Sequence, residues 1–285
     1  MVYEFEAIGT KWYIRTARNT PVNVPRLKVA ISERIETFDH HYSRFIGDSL
    51  VSTISQKPAT YKMPADFAKM FDLYEQLYGL TDGAMTPLIG SALVDAGYNA
   101  HYSLKSQPIS DVPALDQAVE FKDPYLTTKE VVLLDFGAAG KGYLVDIASE
   151  VLESAGVKSY IVDAGGDMRC RGPKRYQIGL ENPDDTTEAI GIVELKNLSL
   201  CGSADNRRAW NGFTHIIDPR NKRSPRIYKA IWVMAESTLL ADALTTALQF
   251  TSCEHLKEHF TFEAMLLRAD GSCETTEGWK SVIFV

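Results

Sequence analysis

The sequence predicts an α+β fold of mixed, largely antiparallel sheets packed with helices, and three observations carry the prediction. Strand-like segments outnumber helical ones, several strands follow one another with no helix between them, and helical periodicity is confined to a few stretches. A chain of 285 residues suffices for a single domain over 1–285, arranged as two closely associated lobes.

Taken in order, Val2–Ile8 and Lys11–Thr16 alternate apolar and polar residues across Gly9-Thr10, which predicts a hairpin. Pro25 suits the first turn of a helix running to about His40. Over Pro64–Leu80, Phe67, Met70, Phe71, Tyr74, Leu77 and Tyr78 recur at three and four residues, a helix whose aromatic stripe is core packing. Thr81–Gly90 is rich in Gly and Pro and predicts a loop, with an irregular region near Asn99–Ser110. Glu130–Phe136 predicts a buried strand, and a second helix follows with Leu144, Ile147, Ala148, Val151 and Leu152 on one face and Gly156 as its stop. Strands are predicted at Ser159–Val162, Tyr176–Leu180, Ile190–Leu195, Ile231–Ala235, Ala264–Arg268 and Val282–Val285, with a helix from about Thr238 to Phe250.

A net charge of −7 argues against a protein that binds a nucleic-acid backbone, which needs a basic surface. The start MVYEFEAIGTKWYIRTA lacks the basic and apolar regions of a signal peptide, and no window reaches the roughly 20 apolar residues of a membrane span. Four scattered cysteines, Cys170, Cys201, Cys253 and Cys273, fit reduced thiols and a cytoplasmic location better than a disulfide frame or zinc site.

The stretch Leu134–Asp146, LDFGAAGKGYLVD, is the most informative. It places small residues and a lysine between a strand-like run and a helix start, where backbone can approach an anion closely. A P-loop would need lysine at Tyr143, and a Rossmann loop would need the glycine order reversed, so neither template fits. Downstream, His215 precedes Ile216-Ile217-Asp218-Pro219, and Asp242 and Thr246 lie four apart on one helical face. The latter pair is an all-oxygen set of the kind magnesium prefers. Taken singly, Asp242 also reads as a helix cap or solvated acid, and His215 as a core histidine bonded to a carbonyl.

In order along the chain stand IGTKWYI (8–14), YSRFIGDS (42–49), TDGAMTPLIG (81–90), LDFGAAGKGYLVD (134–146), DAGGD (163–167), HIIDPR (215–220) and ADALTTAL (241–248). Together they resemble the ApbE-type FAD:protein FMN transferases. The resemblance implies an ApbE, T-fold-like architecture. It also implies an enzyme that binds FAD as substrate with magnesium, moves the FMN half to a threonine or serine hydroxyl of a target protein, and releases AMP. By the same resemblance, Asp242, Thr246 and the backbone carbonyl of Ala138 hold magnesium, while Asp135 and Lys141 face FAD. Ile8, Phe45, Ala84, Met85 and Thr86 line the flavin and adenine pockets. His215 and Ile217 lie against FAD, with His215 as base and Asp242 as the catalytic metal ligand.

The chain departs from the family pattern where Thr86 replaces a frequent aspartate, where Thr245 replaces a further acidic ligand of some members, and where Cys201-Gly202 replaces Ser-Gly. Phe45 occupies a variable place. Two other functions fit the same residues: a magnesium-dependent FAD pyrophosphatase yielding FMN and AMP, and a non-catalytic FAD-binding protein.

Overall fold

A computed structural model describes residues 1–17, 22–206 and 209–284. Strands β1 (Val2–Ala7) and β2 (Thr10–Thr16) form the expected hairpin, with Val2 opposite Arg15. Its tip puts Ile8 and Gly9 at φ 45° and 73°, the left-handed pair that a two-residue turn matching strand twist requires. Helix α1 (Val24–Tyr42) is capped by the Asn23 side chain and carries proline in its first turn. Ile31, Ile35 and Phe38 line its buried face. After α2 (Leu50–Ile54) and β3 (Thr60–Lys62), α3 (Phe67–Leu80) buries the predicted aromatic stripe. It starts later than Pro64, because Pro64 closes a turn in which its carbonyl accepts from Phe67 N.

Two expectations give way in the next segment. The Gly/Pro-rich loop contains a 3₁₀ turn, Pro87–Ile89, and leads at Gly90 straight into a short helix α4 (Gly90–Asp95). Beyond α5 (Leu115–Ala118), strand β4 (Val119–Lys122) and β3 flank β5 (Tyr125–Thr128), which pairs with both, in a small sheet that the pattern did not announce. Glu130–Phe136 is not a strand. Its alternation is real, since Val132, Leu134 and Phe136 are buried and Val131 is exposed. Its backbone pairs with the 3₁₀ turn and α4, through Asp135 N to Pro87 O and Gly90 N to Leu133 O, rather than with a neighbouring strand.

The second half supplies α6 (Gly140–Ser154), β6 (Tyr160–Ala164), β7 (Asp167–Arg171), β8 (Tyr176–Glu181), β9 (Ala189–Leu195) and β10 (Ser199–Ala204). The short pair β11 (Ala209–Trp210) and β12 (Phe213–Thr214) precedes β13 (Tyr228–Ala235), α7 (Thr238–Ala247) and α8 (Cys253–Lys257). Strands β14 (Phe262–Arg268), β15 (Cys273–Thr275) and β16 (Ser281–Ile283) finish the chain, and Val285 of the predicted last strand lies outside the described residues.

Eight strands form one antiparallel sheet in the order β1-β2-β6-β7-β10-β13-β14-β15. Strand β13 explains its layering. Ile231, Val233 and Ala235 face the helices, while Ala230, Trp232 and Met234 meet the three-stranded sheet β16-β9-β8 on the opposite face. A strand buried on both faces reads as a continuous apolar run, as AIWVMA does. Helices α1, α3, α6 and α7 share the larger core with Trp12, Ile14 and Val162. A separate small cluster joins Leu93, Ala96, Tyr98, Trp210 and Ile217. Among the described residues, no helix is long and apolar enough to cross a membrane.

Candidate functional site

The site begins where α6 meets α7. A Cβ on Gly142 would lie 2.3 Å from Thr238 O and 2.5 Å from Asp242 Cβ, so only glycine lets the two helices approach this closely. The contact allows Gly142 N to donate to Asp242 Oδ2 at 2.8 Å. One turn further along α6, the buried Asp146 carboxylate accepts from Thr238 N (3.0 Å) and Leu239 N (2.9 Å) and pairs with Arg169. An anionic cap there satisfies two otherwise unpaired amides and complements the helix dipole. Ser237 completes the cap by accepting from Leu240 N. Asp242 is therefore neither cap nor solvated acid, but a mid-helix carboxylate only 8% exposed.

Its surroundings are charged and largely buried. Lys141 Nζ lies 2.8 Å from Asp167 Oδ2, and Asp167 is 1% exposed. Burial and the Asp167 charge push the Asp242 carboxyl well above the usual carboxylate range, against the pull of Lys141 and Gly142 N. Burial works against the Lys141 ammonium, yet Asp167 and Asp242 together hold its pKa above the ordinary value. Cys201 on β10 faces the same spot. Burial, Asp167 and Asp242 raise its thiol well above normal, so it remains protonated, with Sγ 3.6 Å from Thr238 O.

The preceding loop is fixed by Asp135. Its carboxylate accepts from Gly137 N at 2.7 Å and from Arg44 Nε at 2.5 Å. The Arg44 guanidinium is almost wholly buried over the rings of Phe45 (4.3 Å) and Tyr98 (5.1 Å), and its Nη2 has no protein acceptor. Tyr74, predicted only as core, has a fully buried hydroxyl set against the Ala138 backbone. Burial first, then the charges of Asp135 and Asp242, push its pKa far up, and the Ala138 backbone adjoins it.

Two further loops are laced to this one. Thr81 Oγ1 accepts from Met85 N (3.0 Å), and buried Ala84, Met85 and Thr86 follow. Thr86 Oγ1 accepts from Leu88 N at 3.1 Å, capping the 3₁₀ turn. Arg220 holds Asp218 bidentately and donates to Thr81 O at 3.1 Å, tying the HIIDPR segment to the 81–90 loop. That segment carries His215, half-buried directly after β12, and Ile217, which is 2% exposed beside Tyr98 and Trp210.

The structure thus gathers Asp135, Ala138, Lys141 and Asp242, with half-buried Thr246 one turn beyond Asp242. Phe45 joins through the Arg44 bridge, and Thr86 through Asp135 N to Pro87 O. The Ile8 hairpin tip abuts the DAGGD turn, for a Cβ on Gly165 would meet Thr10 Oγ1. Sequence reasoning left Arg44, Asp167 and Tyr74 without roles. Arg44 and Asp167 stood inside quoted motifs, and the signal for Tyr74 was one of two hydroxyls, with Tyr78, in a stripe otherwise of Phe, Met and Leu.

The donor set suits a hard cation. Two carboxylates against one ammonium leave the pocket net negative when ionised, and the Asp242 and Thr246 side chains and the Ala138 carbonyl are all oxygen donors. Thr245 Oγ1 is committed to Asp242 O at 2.7 Å.

The ApbE family model matches residues 8–265. A FAD:protein FMN transferase of Haemophilus influenzae is 27% identical over 276 residues, covering 85% of this chain and 78% of that protein. One from Escherichia coli K12 is 24% identical over 286 residues, covering 90% and 80%. Among solved structures, the ApbE protein of Thermotoga maritima matches with a TM-score of 0.84 at 24% identity, over 97% of each chain. The flavin transferase ApbE of Vibrio cholerae matches at 0.80 with 20% identity, again over 97% of each.

Proposed function

The chain belongs to the ApbE family, and on that premise we propose that it transfers the FMN moiety of FAD to a threonine or serine hydroxyl of a target protein, with magnesium bound, and releases AMP. The observation that carries the reading is the buried Asp242 carboxyl set between Lys141, Asp167 and the Ala138 loop, an oxygen-lined site that turns net negative once Asp242 gives up its proton, beside a small-residue loop at a helix start. Asp242, Thr246 and the Ala138 carbonyl would hold magnesium, which supplies charge neutralisation and Lewis acidity to a pyrophosphate.

The protein's own groups do the rest. Lys141 and the spare donor of Arg44 face the anionic bridge of FAD, and Asp135 keeps both the loop and Arg44 in place. Ile8, Phe45, Ala84, Met85, Thr86 and Ile217 enclose the aromatic ends and exclude water. His215 takes the proton from the acceptor hydroxyl as its oxygen bonds to the FMN phosphorus. The bond from that phosphorus to the bridging oxygen breaks, and the oxygen departs with AMP. Thr86, spent on a turn cap, contributes shape rather than charge, and Thr245, bonded within its helix, adds no ligand. The free thiols suit a reducing compartment, and a cytoplasmic location belongs to this reading.

Incubation with FAD, magnesium and a protein carrying a flavinylation motif tests the proposal. A fluorescent target band with one AMP per flavin supports it, whereas free FMN and AMP with no labelled target indicate the pyrophosphatase. Intact bound FAD would indicate a carrier. His215→Ala is expected to lower transfer by about 10²–10⁴-fold while FAD binding persists. Single-turnover labelling and equilibrium dialysis separate the two, and unchanged labelling removes His215 as base.

Magnesium binding should strengthen with pH. The folded-state pKa of Asp242 is raised above 3.8, so the native state keeps a proton that the unfolded chain releases. That contribution to stability is present below pH 3.8 and is lost as pH rises through the folded value. A cation on Asp242 displaces the same proton, so affinity climbs by up to about tenfold per pH unit while the metal-free carboxyl stays protonated. Thermal melts with and without magnesium at pH 6 and 8.5 should show the larger shift at the higher pH. Equal shifts would detach the effect from Asp242.

A further inference from the structure

Away from the oxygen-lined pocket, the chain reverses after α7 and forms the short helix α8, which presents a second and chemically different set of donors. His255, Glu258 and His259 each offer one ligand atom, and these atoms all lie within 4.8 Å of one another. The backbone explains the convergence. Ser252 caps the turn by accepting from His255 N at 3.2 Å. Glu258 keeps helical dihedrals (φ −65°, ψ −22°), and His259 N and Phe260 N both close on Leu256 O, at 3.1 and 2.9 Å. The helical path therefore runs through His259 and brings His255 and His259 to one face, four residues apart. Their rings meet edge-on, with centroids 5.8 Å apart at 79°. Leu256, 0% exposed, anchors the turn to the core from the opposite side.

Neighbouring charges leave this trio open to a ligand. Lys257, next to Glu258 in sequence, is turned to Glu263 Oε2 at 3.1 Å. Cys253 heads the helix, but burial first and Glu254 next push its thiol up to about 11, which keeps it protonated and a poor ligand. Two imidazoles and a carboxylate are a borderline-soft set, matched to zinc or nickel and mismatched to magnesium.

We propose that His255, Glu258 and His259 form a surface site for a zinc-class divalent transition metal, distinct from the magnesium pocket, which pins the turn between α8 and β14. Tetrahedral zinc asks for donors roughly 3.3 Å apart, so small side-chain rotations close the trio around the ion, with water as the fourth ligand.

Calorimetric titration of chelator-stripped protein with zinc chloride, in excess magnesium, tests the site. The wild type should bind one equivalent and gain in melting temperature. Asp242→Ala should keep that equivalent. The double variant His255→Ala/His259→Ala should lose both the equivalent and the thermal gain while retaining its magnesium-dependent activity and its helical circular dichroism. Absence of zinc binding by the wild type overturns the proposal, as does an undiminished equivalent in the double variant. Half an equivalent together with a doubled mass by light scattering also overturns it, because the ion would then bridge two molecules.

Discussion

Asp242→Ala is expected to abolish magnesium-dependent turnover, by about 10³-fold or more, and to leave the fold standing. The size follows from the proposed role: a charge-stabilising group removed from a largely buried site costs at least what loss of one preorganised donor costs. The mildness toward folding follows from the environment. Burial and Asp167 disfavour the ionised carboxyl, so alanine relieves a repulsion and forfeits one hydrogen bond from Gly142 N, worth about 1 kcal/mol. Melting without magnesium should therefore shift by a few degrees at most, and the magnesium-induced shift should vanish. Retained turnover that still requires magnesium would remove Asp242 from the metal site.

Gly142→Ala is expected to damage stability and site together. The new methyl would lie 2.3 Å from a backbone oxygen and 2.5 Å from Asp242 Cβ, and neither is the free end of a flexible side chain. Helices α6 and α7 must separate. Overpacking of this kind costs about 1–3 kcal/mol, against roughly 1 kcal/mol gained from the helix preference of alanine over glycine. Separation also draws Asp242 away from its amide donor and the Ala138 loop, so magnesium affinity should fall with the melting temperature. Gly156→Ala, at a helix stop with open space around it but φ +84°, serves as a comparison that strains backbone without touching the site. A Gly142→Ala protein with unaltered melting and magnesium affinity would show that the close approach is dispensable.

The elements that could be read directly were those whose pattern is self-contained. The hairpin around Gly9, the aromatic stripe of α3 and the Gly156 stop of α6 each depend on neighbours within a few turns. Glu130–Phe136 misled because alternation reports burial on one side and says nothing about a partner strand. Its partners are a 3₁₀ turn and α4, both concealed in a composition that favours loops. The small β3-β5-β4 sheet went unseen because three- and four-residue strands offer too few positions to establish a period. At the site, residue types were legible and their joinery was not. Gly142 and Asp242 meet across 100 residues, and Arg44 reaches Asp135 across 91. Such contacts depend on which helix faces come together, and no local window contains that information.

The distance in sequence between those partners also bears on how the molecule is made. Strand β2 must wait for β6 before it enters the large sheet, because Trp12 pairs with Ala164. The cap on α7 likewise needs Asp146 from α6. Closures over such long spans are slow steps in folding, since chain entropy is lost before contacts repay it. The pocket around Asp242 forms only when these late junctions are complete. On the proposed reading, a nascent or partly folded chain has no grip on a divalent cation, and uptake of magnesium during refolding is expected to mark the arrival of the finished molecule.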